Sequence, residues 1–231
     1  MKKFKLLLLV MLCFTCVLGC KKEKNLEDQE DIQENFVLKL RDVSKDIVYL
    51  EDYKTMQLLD GKTYKLQNLV LNIVGEASDN INLELSSFVK KNYKEMKITN
   101  GVLEQGKIIY YDFHVSGSFI TIIQHYVSYV NGESGEERDN VYVFSKLDGN
   151  VLNGEDLLKR FGYDEEKLYK ELEDGIESED VLYSLMIIKN NGYELYVNEE
   201  EKLVILYYEL GEEETLRKEF VLGNKKEDKF N

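Results

Sequence analysis

A chain of 231 residues with 44 acidic against 30 basic side chains carries a net charge of −14, which excludes nucleic acid as a partner because its phosphates would meet a repulsive surface. An apolar content of 43% over that length supplies a packed core, and the length suits one large domain better than two small ones. Proline and tryptophan are absent, so helices and strands must be stopped by Gly, Asn and Asp.

The first element is an address. Met1-Lys2-Lys3-Phe4-Lys5 is basic, Leu6 to Leu12 is apolar but too short to span a bilayer, and Val17-Leu18-Gly19-Cys20 closes the run. This pattern resembles a bacterial lipoprotein signal with its lipobox. The resemblance implies a signal peptide over residues 1–19, a mature chain beginning at Cys20, and thioether-linked diacylglycerol with an amide-linked acyl chain on that cysteine; two chains make anchoring stable. The mature chain of 212 residues then has 27 basic and 44 acidic side chains, a net charge of −17 that steers basic partners towards it. Cys13 and Cys16 leave with the signal and Cys20 is consumed by lipid, so no disulfide is expected in the folded domain.

Residues 20–35 are the lipidated cysteine and a charged tether that cannot bury enough surface to offset its ordering entropy. A single domain is expected over 36–222. From Phe36 to Ile73 short β-prone runs (FVLKL, IVYL, TMQLL, YKLQNLVLNI) are broken at Asp60-Gly61. Whether 36–59 join the main sheet is open. Ser78-Asp79 offers an N-cap, and Ile81, Leu85, Phe88, Val89, Tyr93 and Met96 follow at helical spacing.

Residues 107–115 and 118–130 flank Ser116-Gly117, which reads as a tight hairpin turn. A loop is predicted over Asn131–Asn140, with a third strand from Val141 to Leu147. After Asp148-Gly149, Asn153 caps a short helix carrying Leu157, Leu158 and Phe161 and stopped at Gly162. A second helix begins near Asp164 with Leu168, Leu172 and Ile176 on one side. The stretch 179–190 is ambiguous between helix and strand. Tyr193–Val197 and Lys202–Leu210 flank the polar turn Asn198–Glu201, Thr215–Leu222 supplies a last strand, and 223–231 reads as a loose tail. The expected fold class is α+β, an antiparallel sheet with a long helix and short helices packed on it.

This order, with Asn82-Leu83-Glu84-Leu85, Val141-Tyr142-Val143-Phe144, Lys146-Leu147-Asp148-Gly149, Asn153 to Leu158 and Leu195-Tyr196-Val197-Asn198 through Lys202-Leu203, resembles the RsiV-like domain of bacterial envelope lipoproteins. The same domain occurs in lysozyme-sensing anti-sigma factors and beside peptidoglycan deacetylase domains. The resemblance covers roughly residues 62–222. It implies a stand-alone extracytoplasmic module with no catalytic residue to carry over. Where family members often carry a Gly- and His-containing segment, this chain has Gly132-Glu133-Ser134-Gly135 without histidine.

The candidate sites are few. His114 and His125 are the only histidines, and a turn at Ser116-Gly117 pairs His114 with Phe119, leaving His125 six residues further along and roughly 20 Å away. They read as ordinary strand histidines. Glu133, Glu136, Glu137 and Asp139 offer carboxylates for Ca²⁺ but lack the alternating EF-hand spacing, so a solvated loop is the simpler reading. Glu199-Glu200-Glu201 and Glu212-Glu213-Glu214 read as charged turns. Ser134 is not in a Gly-x-Ser-x-Gly elbow. Tyr110, Tyr111, Tyr126, Tyr129, Tyr207 and Tyr208 can line a sugar- or peptide-binding face or pack the core. The expectation is therefore a non-catalytic, cofactor-free binding or sensing module. It is lipid-anchored at Cys20 on the extracytoplasmic face of a cell or outer membrane, and its ligand is a basic protein such as lysozyme or a cell-wall component. The alternative is a structural or accessory envelope lipoprotein without a soluble ligand.

Overall fold

A computed structural model describes residues 36–175, 188, 192–210 and 215–223. Residues Phe36–Asn231 form one compact unit. Cys20, the signal, the tether, Ile176, the stretch 179–190 except Ile188, Glu212–Glu214 and the tail from 224 lie outside the described residues.

Ten strands and three helices are present among the described residues: β1 (Val48–Gln57), β2 (Thr63–Leu71), α1 (Glu76–Glu95), β3 (Lys97–Thr99), β4 (Val102–Val115), β5 (Phe119–Val130), β6 (Glu133–Ser145), β7 (Val151–Leu152), α2 (Gly154–Arg160), α3 (Glu165–Gly175), β8 (Glu194–Val197), β9 (Leu203–Leu210) and β10 (Thr215–Val221). This overturns the α+β expectation. The fold is mainly β, with 49% strand against 23% helix, arranged as a curled half-barrel sheet and a small second sheet. The large sheet runs β2-β1-β4-β5-β6-β7 with β3 on β4, and the small one runs β10-β9-β8. Nor is the large sheet purely antiparallel, because β1 meets β4 in parallel at Gln57 and Val102. Even α1, about 30 Å at 1.5 Å per residue, falls short of β4 at about 46 Å. The strand content was undercounted because charged segments were read as breaks. Glu51-Asp52-Tyr53-Lys54 lies inside β1, and Glu133–Asn140, predicted as loop, is the first half of β6.

The turns explain the second error. Asn131 and Gly132 both have positive φ, 52° and 95°, and Val130 pairs directly with Glu133. That is a two-residue hairpin turn of the type that demands left-handed conformers and favours Asn-Gly. Asn100-Gly101 repeats it between β3 and β4, with φ of 51° and 82°. Residues 36–59 do join the large sheet, through β1 on β2 and an isolated bridge from Leu40 to Ile73.

β5 is the central strand and is buried along both faces over its first seven residues. On one face Ile120 and Ile122 pack with Leu69, Leu71, Phe144 and the α1 residues Ile81 and Leu85. On the other, Ile123 and Val143 pack with β8, β9 and the short helices. α1 begins at Glu76, two residues before the predicted cap. Ser78 instead donates its hydroxyl to the Ile73 and Gly75 carbonyls. Asn153 does cap α2, accepting from the Asp156 amide at 2.9 Å.

Two side chains take the place of missing strands. The Tyr64 hydroxyl accepts from the Ile109 amide at 2.7 Å and donates to the Ile109 carbonyl at 3.2 Å, satisfying β4 where β1 no longer runs beside it. Asn82 on α1 does the same for Leu71 at the outer edge of β2, at 2.8 and 2.9 Å. Removing the hydroxyl alone, in Tyr64→Phe, keeps the ring packing but strands both Ile109 groups. A loss of about 1–3 kcal/mol in urea unfolding is expected. A loss within error of zero would show that the hydroxyl satisfies nothing.

Candidate functional site

Strand alternation places two sets of polar side chains in one seam. On β4, β5 and β6 the register sets Tyr110 opposite His125 and His125 opposite Asp139, with Asp112 two residues along β4 and Glu137 two along β6. On the small sheet the register aligns Arg217 with Tyr208 and Glu219 with Leu206, so Arg217, Glu219, Tyr208 and Glu194 share a face. That face meets the first set, because the Arg217 Nε donates to Asp139 Oδ2 at 3.2 Å.

At the centre lies His125, whose side chain is 2% exposed. Its Nδ1 is 2.6 Å from Asp139 Oδ1 and its Nε2 is 3.0 Å from Asp112 Oδ2. A neutral imidazole has one N–H, so only the imidazolium donates to both carboxylates. Burial works against that charge, but the hydrogen bond and charge of Asp139, with Asp112, outweigh burial and raise the His125 pKa. For Asp139 burial acts upwards, yet His125, Tyr208 and Arg217 hold its carboxyl below the ordinary range. Tyr110 stacks on the imidazole at 4.5 Å and donates its hydroxyl to Glu137. Burial, then Asp139, pushes the Tyr208 phenol up.

His125, Glu137 and Asp139 also offer three ligand atoms within 4.8 Å of one another, the spacing of a metal site. Protein donors already fill those positions. Asp139 is bound by His125 and Arg217, and Glu137 by Tyr110. A 2.6 Å contact between nitrogen and oxygen is a charge-assisted hydrogen bond, and the cluster is an ion-pair network.

Glu194 connects this network to a groove. The groove, about 740 Å³, lies between β6, α2 and β8 and is walled by Tyr163, Tyr193, Leu152 and Leu158. Its carboxylates are Glu155, Asp164, Glu165 and Glu194, against one cation, Lys159. Lys159 is itself bound to Glu155 at 2.6 Å. Desolvation, then the charge of Asp139, raises the Glu194 pKa, although the residue as a whole is exposed.

The other candidates fall elsewhere. His114 pairs with Thr121, not Phe119, so His125 lies four residues along instead of six, and His114 stacks on Tyr196 at 5.4 Å. Of the four acids expected in one loop, Glu137 and Asp139 face the seam, whereas Glu136 is ion-paired with Arg138. Ser134 is exposed opposite Tyr129, with no histidine beside it. Glu201 does more than charge a turn, since it accepts from the Ser118 amide at 2.6 Å and pins the β4–β5 hairpin. Tyr129 and Tyr207 are buried, while Tyr110 is 42% exposed. The His125 network was missed because Asp139 had been assigned to a loop; the Asn131-Gly132 turn signals the hairpin, but counted from it alone His125 would face Arg138, and it is the bulge between Val127 and Tyr129 that brings Asp139 opposite. No family model and no curated protein matches this chain.

Proposed function

We propose that the protein is a lipid-anchored, extracytoplasmic binding or sensing module for a basic envelope ligand, held to the membrane through Cys20 and performing no catalysis. The observation that carries this is the tyrosine-walled groove, in which four carboxylates face one already paired lysine. Such a groove suits a lysine or arginine side chain of a protein ligand, whose charge pairs with carboxylates while its stem and cationic head lie on aromatic rings. The mature charge of −17 accelerates approach of the same ligand. The likeness to RsiV-like domains makes a lysozyme the first ligand to test.

The test is calorimetry of residues 25–231, which contain the whole compact unit, with a basic lysozyme and with peptidoglycan fragments. Saturable lysozyme binding that weakens with salt yet survives at physiological ionic strength is expected. Glu165→Gln with Glu194→Gln should reduce affinity roughly tenfold or more, about 1.4 kcal/mol. Absence of binding to either at high micromolar concentration rejects the proposal in favour of a structural or accessory role.

A further inference from the structure

β4 has a second edge. Its even-numbered residues turn their backbone groups towards β5, as the bond from Asn131 N to Glu104 O shows, and its odd-numbered residues turn theirs away, as the Tyr64 hydroxyl on the Ile109 amide and carbonyl shows. On that outward side β3 covers Val102 to Gln105, and Tyr64 serves Ile109. Beyond that point no described strand pairs with the outward side of β4. Among the described residues Tyr111 to Val115 thus have no strand partner on that side, and Phe113 and Val115 are 41% and 38% exposed. An edge without lysine, proline or a bulge that shows two exposed apolar side chains is a template for another strand.

We propose that this edge pairs with the same edge of a second copy, antiparallel and about a two-fold axis at Phe113, joining two large sheets into one. The segment Tyr111-Asp112-Phe113-His114-Val115 is self-complementary in that register. Phe113 meets Phe113 of the other copy, Tyr111 meets Val115, and Asp112 meets His114. All three outward residues fall on hydrogen-bonded pairs, because the register is symmetric about an odd-numbered position. The two polar positions oppose an acid to a histidine, so the charge pattern favours antiparallel self-pairing, in which neither copy faces like with like. Closed two-fold assembly also removes the edge from both copies.

Salt separates this pairing from binding of a basic ligand. Two copies of residues 25–231, each with 24 basic and 43 acidic side chains and so a charge of −19, repel, so salt strengthens self-association, whereas it weakens the attraction of an acidic groove for a cation. Sedimentation of residues 25–231 should show a dimer at high micromolar concentration, tighter at high salt. Phe113→Lys places like charges face to face at the axis and should weaken association about tenfold or more; Phe113→Glu should do the same with the opposite sign of charge. Residues 25–231 contain no cysteine, so F113C introduces the only thiol. Mild oxidation should cross-link F113C to a second copy and leave V115C monomeric, since position 115 lies opposite 111. A monomer at high micromolar concentration, an assembly indifferent to both charge substitutions, or equal cross-linking at 113 and 115 overturns the proposal, and the edge is then left for an unrelated extended chain. Lysozyme binding by a monomer would leave the groove reading intact while this one fails.

Discussion

Asp139→Ala is expected to cost about 3–5 kcal/mol, because it removes a carboxylate whose side chain is fully buried between two cations and leaves His125 and Arg217 facing each other across the seam. The loss has two parts. Arg217 retains Glu219 at 2.8 Å and stays charged, whereas His125 keeps Asp112, which is 58% exposed, and Glu137 at the longer distance of 3.7 Å. The imidazole therefore surrenders its proton more readily in the variant. The pH profile separates this from simple loss of packing. In the native chain the folded pKa of His125 lies above its ordinary 6.5, so its contribution is complete below 6.5 and is lost as pH rises through the folded value. The folded pKa of Asp139 lies below its ordinary 3.8, so its contribution is complete above 3.8 and is lost as pH falls through the folded value. Urea unfolding should therefore be most resistant between those limits, and Asp139→Ala should flatten both arms of the profile. A variant that is destabilised but keeps the native decline above pH 6.5 would show that the His125–Asp139 pair is not what titrates.

Phe144→Ala is expected to cost about 3–5 kcal/mol for a different reason, the cavity left by a ring that is 2% exposed. Phe144 lies on β6 among Leu69, Leu71, Leu85, Ile120 and Ile122, so it ties the last long strand to β2 and α1 across the curl of the sheet. Its ring also meets Phe36 edge-on at 6.2 Å, and the Phe36 ring packs so closely on Gly149 that a Cβ there would lie 2.4 Å from it. Truncation should thus loosen the entry of the chain into the compact unit as well as its core. Limited proteolysis near Phe36 should accelerate along with the fall in urea midpoint. A loss below about 1 kcal/mol would mean that neighbouring side chains collapse into the space.

Residues that bury their apolar stripe could be read directly. Ile81, Leu85 and Val89 line the buried side of α1, and Asn153 and Gly162 bound the next helix as their chemistry requires. The extent of the strands could not be read the same way. Glu133–Asn140 has the composition of a solvated loop, and what makes it a strand is pairing with β5, a non-local interaction that overrides residue preference. The local cue was Asn131-Gly132, which specifies a two-residue turn and the register of the first residues after it, but a bulge between Val127 and Tyr129 then shifts the pairing by one and sets Asp139, not Arg138, opposite His125. The seam was hidden for the same reason. His125 and Asp139 become neighbours only once that register is set, and Arg217, 78 residues further along, arrives from a separate sheet. The open edge of β4 required knowing that β1 touches β4 at a single pair. Strand preferences carry no information on which strand stops short.

That single pair also governs how the molecule opens. Between β1 and β4 the backbone ladder consists of Gln57 and Val102, with the Tyr64 hydroxyl of β2 as a further link to β4, whereas β4, β5 and β6 are joined by long ladders, one of them bulged between Val127 and Tyr129, closed by short turns. The β1–β2 hairpin, with α1 clasped to it through Asn82, is accordingly a natural cooperative unit of partial unfolding. Its amides should exchange with solvent together, at a free energy below that of global unfolding, while the β4–β5–β6 meander keeps its protons until the whole chain unfolds.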